Sequence, residues 1–141
     1  MASFNKFNCF VQNVAHALHD MQTGTAQVYK VYLSNTAPSA SNTVYNTPAD
    51  LAGANGYTAG GVSIGTITGA QTSGTFSFSG ATNPAWTASG GSIGPFEYAI
   101  LYNSTSSTQP LIGWWDYGGA ITLTNGNTFT VSLPSPILTI T

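Results

Sequence analysis

Charge is what this 141-residue chain has least of: 4% of its residues are charged, against roughly 25% in an average soluble domain. There is no arginine, and the whole set is Lys6, Lys30, Asp20, Asp50, Glu97 and Asp116. Affinity for a phosphate backbone comes mainly from Lys and Arg displacing counterions, so two lysines on a chain of net charge -2 exclude nucleic acid as a partner. Cysteine is nearly absent too. Cys9 stands alone, so no intrachain disulfide forms and folding needs no oxidising compartment; it reads as a small buried hydrophobe. No run approaches the length of a membrane span, and no apolar h-region follows Lys6, so neither a membrane nor a secretory route is expected and synthesis in a cytoplasm is. Without a secretory route, the Asn103-Ser104-Thr105 acceptor pattern reads as a polar loop.

Chemistry-bearing side chains are equally scarce. His16 and His19 are the only histidines, and with Asp20 they form an i, i+3 pair beside a carboxylate, the beginning of a metal site without enough ligands to complete one. No nucleophile elbow or charge relay is present. Glu97 and Asp116 are a carboxylate pair on adjacent strands beside Trp114, Trp115 and Tyr117, which would suit a glycosidase; they read more simply as acceptors for backbone and hydroxyl groups. The expectation is a protein with no enzymatic activity, no cofactor and no metal.

What the chain does have is neutral polarity, glycine and aromatics. The largest concentration of aromatic side chains runs from Gly94 to Gly118, in two strand-like segments that predict a central hairpin. Period-two alternation puts Phe96, Tyr98, Ile100 and Tyr102 on one face and Glu97, Ala99 and Leu101 on the other. Both faces carry apolar residues, as in a strand covered on two sides. Trp114 and Trp115, being neighbours, must point to opposite sides. One meets the core, and the other needs a second layer, a partner protein or a flat ligand such as a sugar.

Around this hairpin the sequence predicts one mainly β domain over residues 1–141. Phe4, Phe7, Val11, Val14, Leu18 and Met21 recur at steps of three and four, which predicts an amphipathic helix over residues 3–22, opened by Ser3 and closed by Gly24. Residues 26–34 alternate as a first strand, and 35–61 form a long loop, of the kind more often functional than accidental. Within it Asn55-Gly56-Tyr57-Thr58-Ala59-Gly60-Gly61 lacks the ending of a phosphate-binding loop and reads as tight-turn glycines. Residues 62–141 supply the remaining strands, near 62–68, 75–79, 85–88, 95–103, 110–117, 120–124, 127–133 and 136–140. Asn125-Gly126 is expected to close a type I′ hairpin between two of them. About nine short strands with one helix predict an antiparallel β-sandwich or jelly roll. The last strand, as a sheet edge, is open to pairing with another chain.

The run Thr87 to Asn103, with Gly90-Gly91-Ser92-Ile93-Gly94-Pro95-Phe96-Glu97-Tyr98 at its centre, resembles a family of small tailed-bacteriophage virion proteins. So does Leu111-Ile112-Gly113-Trp114-Trp115-Asp116-Tyr117-Gly118. The Asn55 to Gly61 stretch, and an N-terminal helix followed by a Val/Tyr strand, extend the likeness over most of the chain. The resemblance is strongest to capsid cement, or decoration, proteins with a jelly-roll core. It implies binding to the major capsid protein on the outside of the shell, residence in the virion and no catalytic residues. The position of Glu97 is often basic in that family, so charge-specific contacts do not carry over. Composition fits such a role through neutral contacts, with Phe4, Phe7, Val11, Trp114, Trp115 and Tyr117 as candidate interface residues and a homodimer as the expected free form. A tail- or fibre-associated virion protein and a carbohydrate-binding module using exposed Trp and Tyr are the alternatives.

Overall fold

The computed structural model describes residues 2–141. In chain order its elements are β1 (Ser3–Lys6), α1 (Cys9–Ala15), β2 (Tyr29–Ser34), a 3-10 turn at Thr47–Ala49, β3 (Val62–Ser63), β4 (Ile67–Thr72), β5 (Thr75–Gly80), β6 (Ala85–Thr87), β7 (Ile93–Asn103), β8 (Leu111–Leu123), β9 (Thr128–Thr130) and β10 (Leu138–Ile140). Every strand pairing is antiparallel. A five-stranded sheet in the order β1-β8-β7-β2-β3 forms one layer, and two small sheets, β10-β5-β4 and β6-β9, form the other. The result is the antiparallel β-sandwich expected from the rhythm of short strands and turns.

The β7–β8 hairpin is the centre of the large sheet. Tyr29, Val31 and Leu33 of β2, Ala99 and Leu101 of β7 and Trp115 of β8 point inward, onto Ile67, Phe78, Trp86, Val131 and Leu138 from the second layer. Tyr32, Ile100, Tyr102 and Leu111 point outward into a second, smaller cluster with Phe7, against which Trp114, Tyr98, Tyr45 and Cys9 also pack. The two tryptophans thus lie on opposite faces, as adjacent strand residues must.

The β7–β8 register shifts at three places, and two of these bulges turn residues against strict alternation. Between Leu101 and Tyr102 the partner on β8 moves from Gly113 to Leu111, so Ile112 is an extra residue and turns inward although Trp114, two positions on, turns outward. Between Phe96 and Tyr98 the partner moves from Ile121 to Asp116, so the stretch Tyr117 to Ala120 faces Glu97 alone. Phe96 therefore joins the inner core with Ala99 and Leu101, not the outer face with Tyr98 as a simple period of two predicts. The strands expected near 110–117 and 120–124 are one strand that bends through this bulge. The strand expected at 62–68 breaks at Gly65, whose φ is +74°.

The expected helix over 3–22 is corrected by the structure. Ser3 to Lys6 is a strand on the edge of β8, with Phe4 opposite Trp115 and Lys6 opposite Gly113. Only Cys9–Ala15 is helical, without a side-chain cap at Asn8. A helix this short has few backbone bonds to offset its nucleation, and two valines weaken it further. Pairing with β8 gives the first residues a full ladder instead. Ala17, at φ +57°, ends the helix: its N–H donates to the Val14 carbonyl (3.0 Å) and that of Leu18 to the Asn13 carbonyl (2.9 Å), the Schellman arrangement with alanine where glycine is usual.

The Asn125-Gly126 turn is present, closed by the Asn127 N–H on the Thr124 carbonyl at 3.0 Å. Only Gly126 has positive φ, which fits type II, whereas type I′ would require it at Asn125 too. Nor does it close a hairpin, because β9 pairs with β6.

Candidate functional site

Loop 35–61 is tied down along its length. Asn8 N–H donates to the Ala40 carbonyl (2.9 Å), Leu111 N–H to that of Thr43 (3.0 Å) and Tyr45 N–H to that of Gln109 (2.9 Å), so residues 36–46 form a strap over the outer face of the large sheet. The strap is anchored by Asp50, 9% exposed. Its carboxylate accepts from the Tyr57 hydroxyl, from the Tyr45 hydroxyl at 2.7 Å and from the Gly60 N–H at 2.5 Å. Tyr57 in turn accepts from the Leu33 N–H of β2 (3.0 Å), and Tyr102 donates to the Gly60 carbonyl (2.8 Å). Tyr45 stacks on Tyr102 with centroids 4.9 Å apart and meets Tyr32 edge-on at 5.1 Å. Burial, then the Asp50 hydrogen bond, push the Tyr57 and Tyr45 phenols far above their ordinary range, and burial pushes Tyr102 up to about 12. These phenols are therefore protonated donors at ordinary pH. Gly61 completes the anchor: at φ +74° it passes so close to the Val31 backbone that a Cβ would collide with it.

This cluster was not singled out by the sequence, although a signal existed: one of only four acids lies inside the long loop with a tyrosine five residues before it and another seven after.

The candidate interface residues separate into distinct environments. Phe7 and Trp115 are buried within the chain, at 0% and 1% exposure, and are core positions, not contacts for a partner. The cause is β1: by pairing with β8 it lays Phe4 on Trp115 (4.9 Å) and delivers Phe7 to Trp114 (4.5 Å). Phe4, Trp114 and Tyr117 are half-buried, Tyr117 against Phe129 at 5.1 Å. Burial pushes the Tyr117 phenol up to about 12. Val11, 60% exposed, is the one candidate that faces outward freely.

Val11 sits at the open side of the sandwich. There β1 ends the five-stranded sheet and β10 ends the three-stranded one. Lys6, Phe10, Val11, Val14, Thr139 and Ile140 line a groove between them of about 230 Å3. The edge of β4, by contrast, is covered, with Thr23 Oγ1 accepting from the Gly69 N–H at 3.1 Å. β3 is only two residues long.

The acid pair is brought to neighbouring strands, with Asp116 exposed and Glu97 half-buried at the bulge. Asp116 accepts from the Gly118 N–H at 2.7 Å. Partial desolvation and then the charges of Glu97 and Asp116 raise the Tyr98 phenol between them. The shallow cleft at Asp116 is lined by Ala2, Ser3, Asn5, Tyr117 and Gly118, without Glu97.

His16 is exposed while His19 is 7% exposed, so the two do not face one site. Asp20 accepts from Thr25 Oγ1 at 2.7 Å and from Gln22, which together hold its carboxyl below the usual range. Among the described residues no three His, Cys, Asp or Glu side chains converge as a metal site. Asn103 is fully buried, its amide donating to Gln27 Oε1 (2.7 Å) and the Leu18 carbonyl (3.0 Å), so it is closed to modification in the folded chain. The Cys9 thiol is half-buried over the carbonyls of Asn42, Thr43 and Leu111, and burial pushes its pKa up.

His19 packs between Phe10 (5.6 Å) and Tyr29 (6.3 Å), with no hydrogen-bond partner at Nε2 among the described residues. Desolvation lowers its pKa from 6.5 to about 4. Between these values the unfolded chain binds a proton that the folded chain does not. Stability should therefore be complete above about pH 6.5 and fall by about 3 kcal/mol as pH drops to about 4. Asp20 adds to the loss only lower, in the carboxylate range. Urea midpoints across this window should slope in the natural chain and be flat in His19→Phe; a slope that persists in the variant would assign the effect elsewhere.

No helix among the described residues is long and apolar enough to cross a membrane. No family model, curated protein or solved structure matches this chain.

Proposed function

We propose that this chain is a structural virion protein that binds the outside of a bacteriophage capsid and stabilises the lattice of the major capsid protein, as a cement or decoration protein without catalytic activity. The observation that carries this reading is the pair of open strand edges, β1 and β10, on one side of an almost uncharged molecule. Proteins that remain free in solution guard such edges with shortness, charge, proline, bulges or a covering helix or loop, and of these β1 and β10 have chiefly shortness, at four and three residues. Here β1 has Lys6 at its end and β10, Leu138-Thr139-Ile140, has no charge at all. Edges left in this state suit a protein whose neighbours cover them, through strand addition and neutral side-chain contacts repeated over a lattice.

The sequence resemblance to capsid cement proteins supports the same role, with the shell protein and a second copy of this chain as partners. A glycan-binding module built on Trp114 and Trp115 gains no support, since the first is held by Phe7 and the second is internal. Copy number separates a cement protein from a tail or fibre part. In purified virions this chain should approach the shell protein in stoichiometry, and light scattering of the free protein should give the mass of a dimer. A few copies per particle would place it in the tail and remove the cement assignment.

A further inference from the structure

The 36–46 strap does not lie flat on the sheet. Between the two is a cleft of about 430 Å3, inside the range of about 300 to 1,000 Å3 usual for small-molecule sites. Its floor is apolar and aromatic: Phe7, Tyr32, Ile100 and Leu111. Its rim is Ser39, Ser41, Asn42, Thr43 and Asn46, and Tyr45 stands between floor and rim. Among the described residues none that lines it is charged.

We infer that this cleft is a binding site for a neutral saccharide. A sugar ring offers an apolar C–H face, which an aromatic ring covers, and a belt of hydroxyls, which neutral amides and hydroxyls satisfy as both donors and acceptors. An anionic or cationic ligand would lose hydration here without meeting an opposite charge, and a purely apolar ligand would leave the rim's polar groups unpaired. Tyr45 is suited to the platform because its position is fixed before any ligand arrives. Its hydroxyl is held by Asp50 at 2.7 Å and its ring by the stack on Tyr102. The strap that carries the rim is also fixed, by backbone bonds at Ala40, Thr43 and Tyr45 and by the Ser39 N–H on Asn42 Oδ1 at 2.8 Å. Little ordering is left to oppose binding. The site lies on the outer face of the large sheet, distinct from the open edges, and does not depend on the virion assignment. On a virion, it would give the particle weak, many-fold attachment to glycan-bearing surfaces.

The test is titration of the 15N-labelled full chain with maltotriose, lactose and chitobiose, with 3′-sialyllactose as the charged counterpart of lactose. At least one neutral sugar should give saturable shift changes confined to residues 36–46 and their floor, with Kd of about 1 mM or tighter. Sialyllactose should bind no better than lactose. Tyr45→Ala should abolish the changes. Because Tyr45 also anchors the strap, Asn46→Ala is the deciding variant: Asn46 makes no capping bond, so the fold should be unchanged while affinity falls about five-fold, as for loss of one neutral hydrogen bond. No saturable shifts with any of the three neutral sugars, shifts centred elsewhere, or unchanged affinity in Asn46→Ala would overturn the inference.

Discussion

Phe7→Ala is expected to destabilise the protein by about 3 to 5 kcal/mol, a large part of the roughly 5 to 15 kcal/mol that holds a domain of this size together. The residue has no exposed surface and its ring lies 4.5 Å from that of Trp114. Its N–H is also bonded to the Ile112 carbonyl at 3.1 Å, at the β8 bulge, so the backbone around the cavity has little freedom to collapse into it. Val11→Ala, only four residues on but 60% exposed on α1, should change stability by no more than about 0.5 kcal/mol. Urea denaturation of the two variants checks the contrast. A neutral Phe7→Ala would mean that the outer cluster is not a second core.

The second large effect is expected at Asp50. Asp50→Ala leaves the Tyr45 and Tyr57 hydroxyls and the Gly60 N–H without their shared acceptor. Hydrogen bonds to a carboxylate are each worth about 1.5 to 3 kcal/mol and orphaned buried donors add their own cost, so a loss of about 3 kcal/mol or more follows. Asp50→Asn keeps one acceptor oxygen and should lose less. Because the strap depends on this anchor, limited proteolysis should cut Asp50→Ala within residues 35–61 under conditions that leave the natural chain whole. Cleavage at the same rate in both would show that the backbone bonds at Ala40, Thr43 and Tyr45 suffice.

The contrast between these two positions marks what the sequence could and could not convey. Phe7 was legible as buried, because an apolar residue in a periodic stripe needs cover whatever its backbone does. Its secondary structure was not: Phe4, Phe7 and Val11 satisfy a helical period, and only the long-range pairing of Ser3–Lys6 with β8 turns the first of them into a strand residue. The central hairpin was legible from alternation and aromatic content. The inward turn of Phe96 and Ile112 was not, since each depends on a bulge whose extra residues leave no local mark beyond glycine. Asp50 shows the same limit at the candidate site. The length of loop 35–61 pointed to a role, but convergence of Asp50, Tyr45, Tyr57 and Gly60 is a property of the folded chain. The open edges were anticipated in part: β10 reads as a final strand free to pair outward, whereas the other edge is β1, hidden under the helical stripe.

The proposal of neutral attachment to a shell follows from six charged side chains, of which Asp50 is buried and Asp20 and Asp116 are engaged by neighbouring hydroxyl, amide or backbone groups. Interactions between exposed charges are screened over about 8 to 10 Å at ordinary ionic strength and over about 3 Å at 1 M salt. Apolar burial and neutral hydrogen bonds do not weaken in this way. Virions carrying this chain should therefore be washed at low salt and at about 1 M salt, and the 14.6 kDa band quantified against the shell protein. Retention at an unchanged ratio is the predicted result, and release that rises with ionic strength would contradict it.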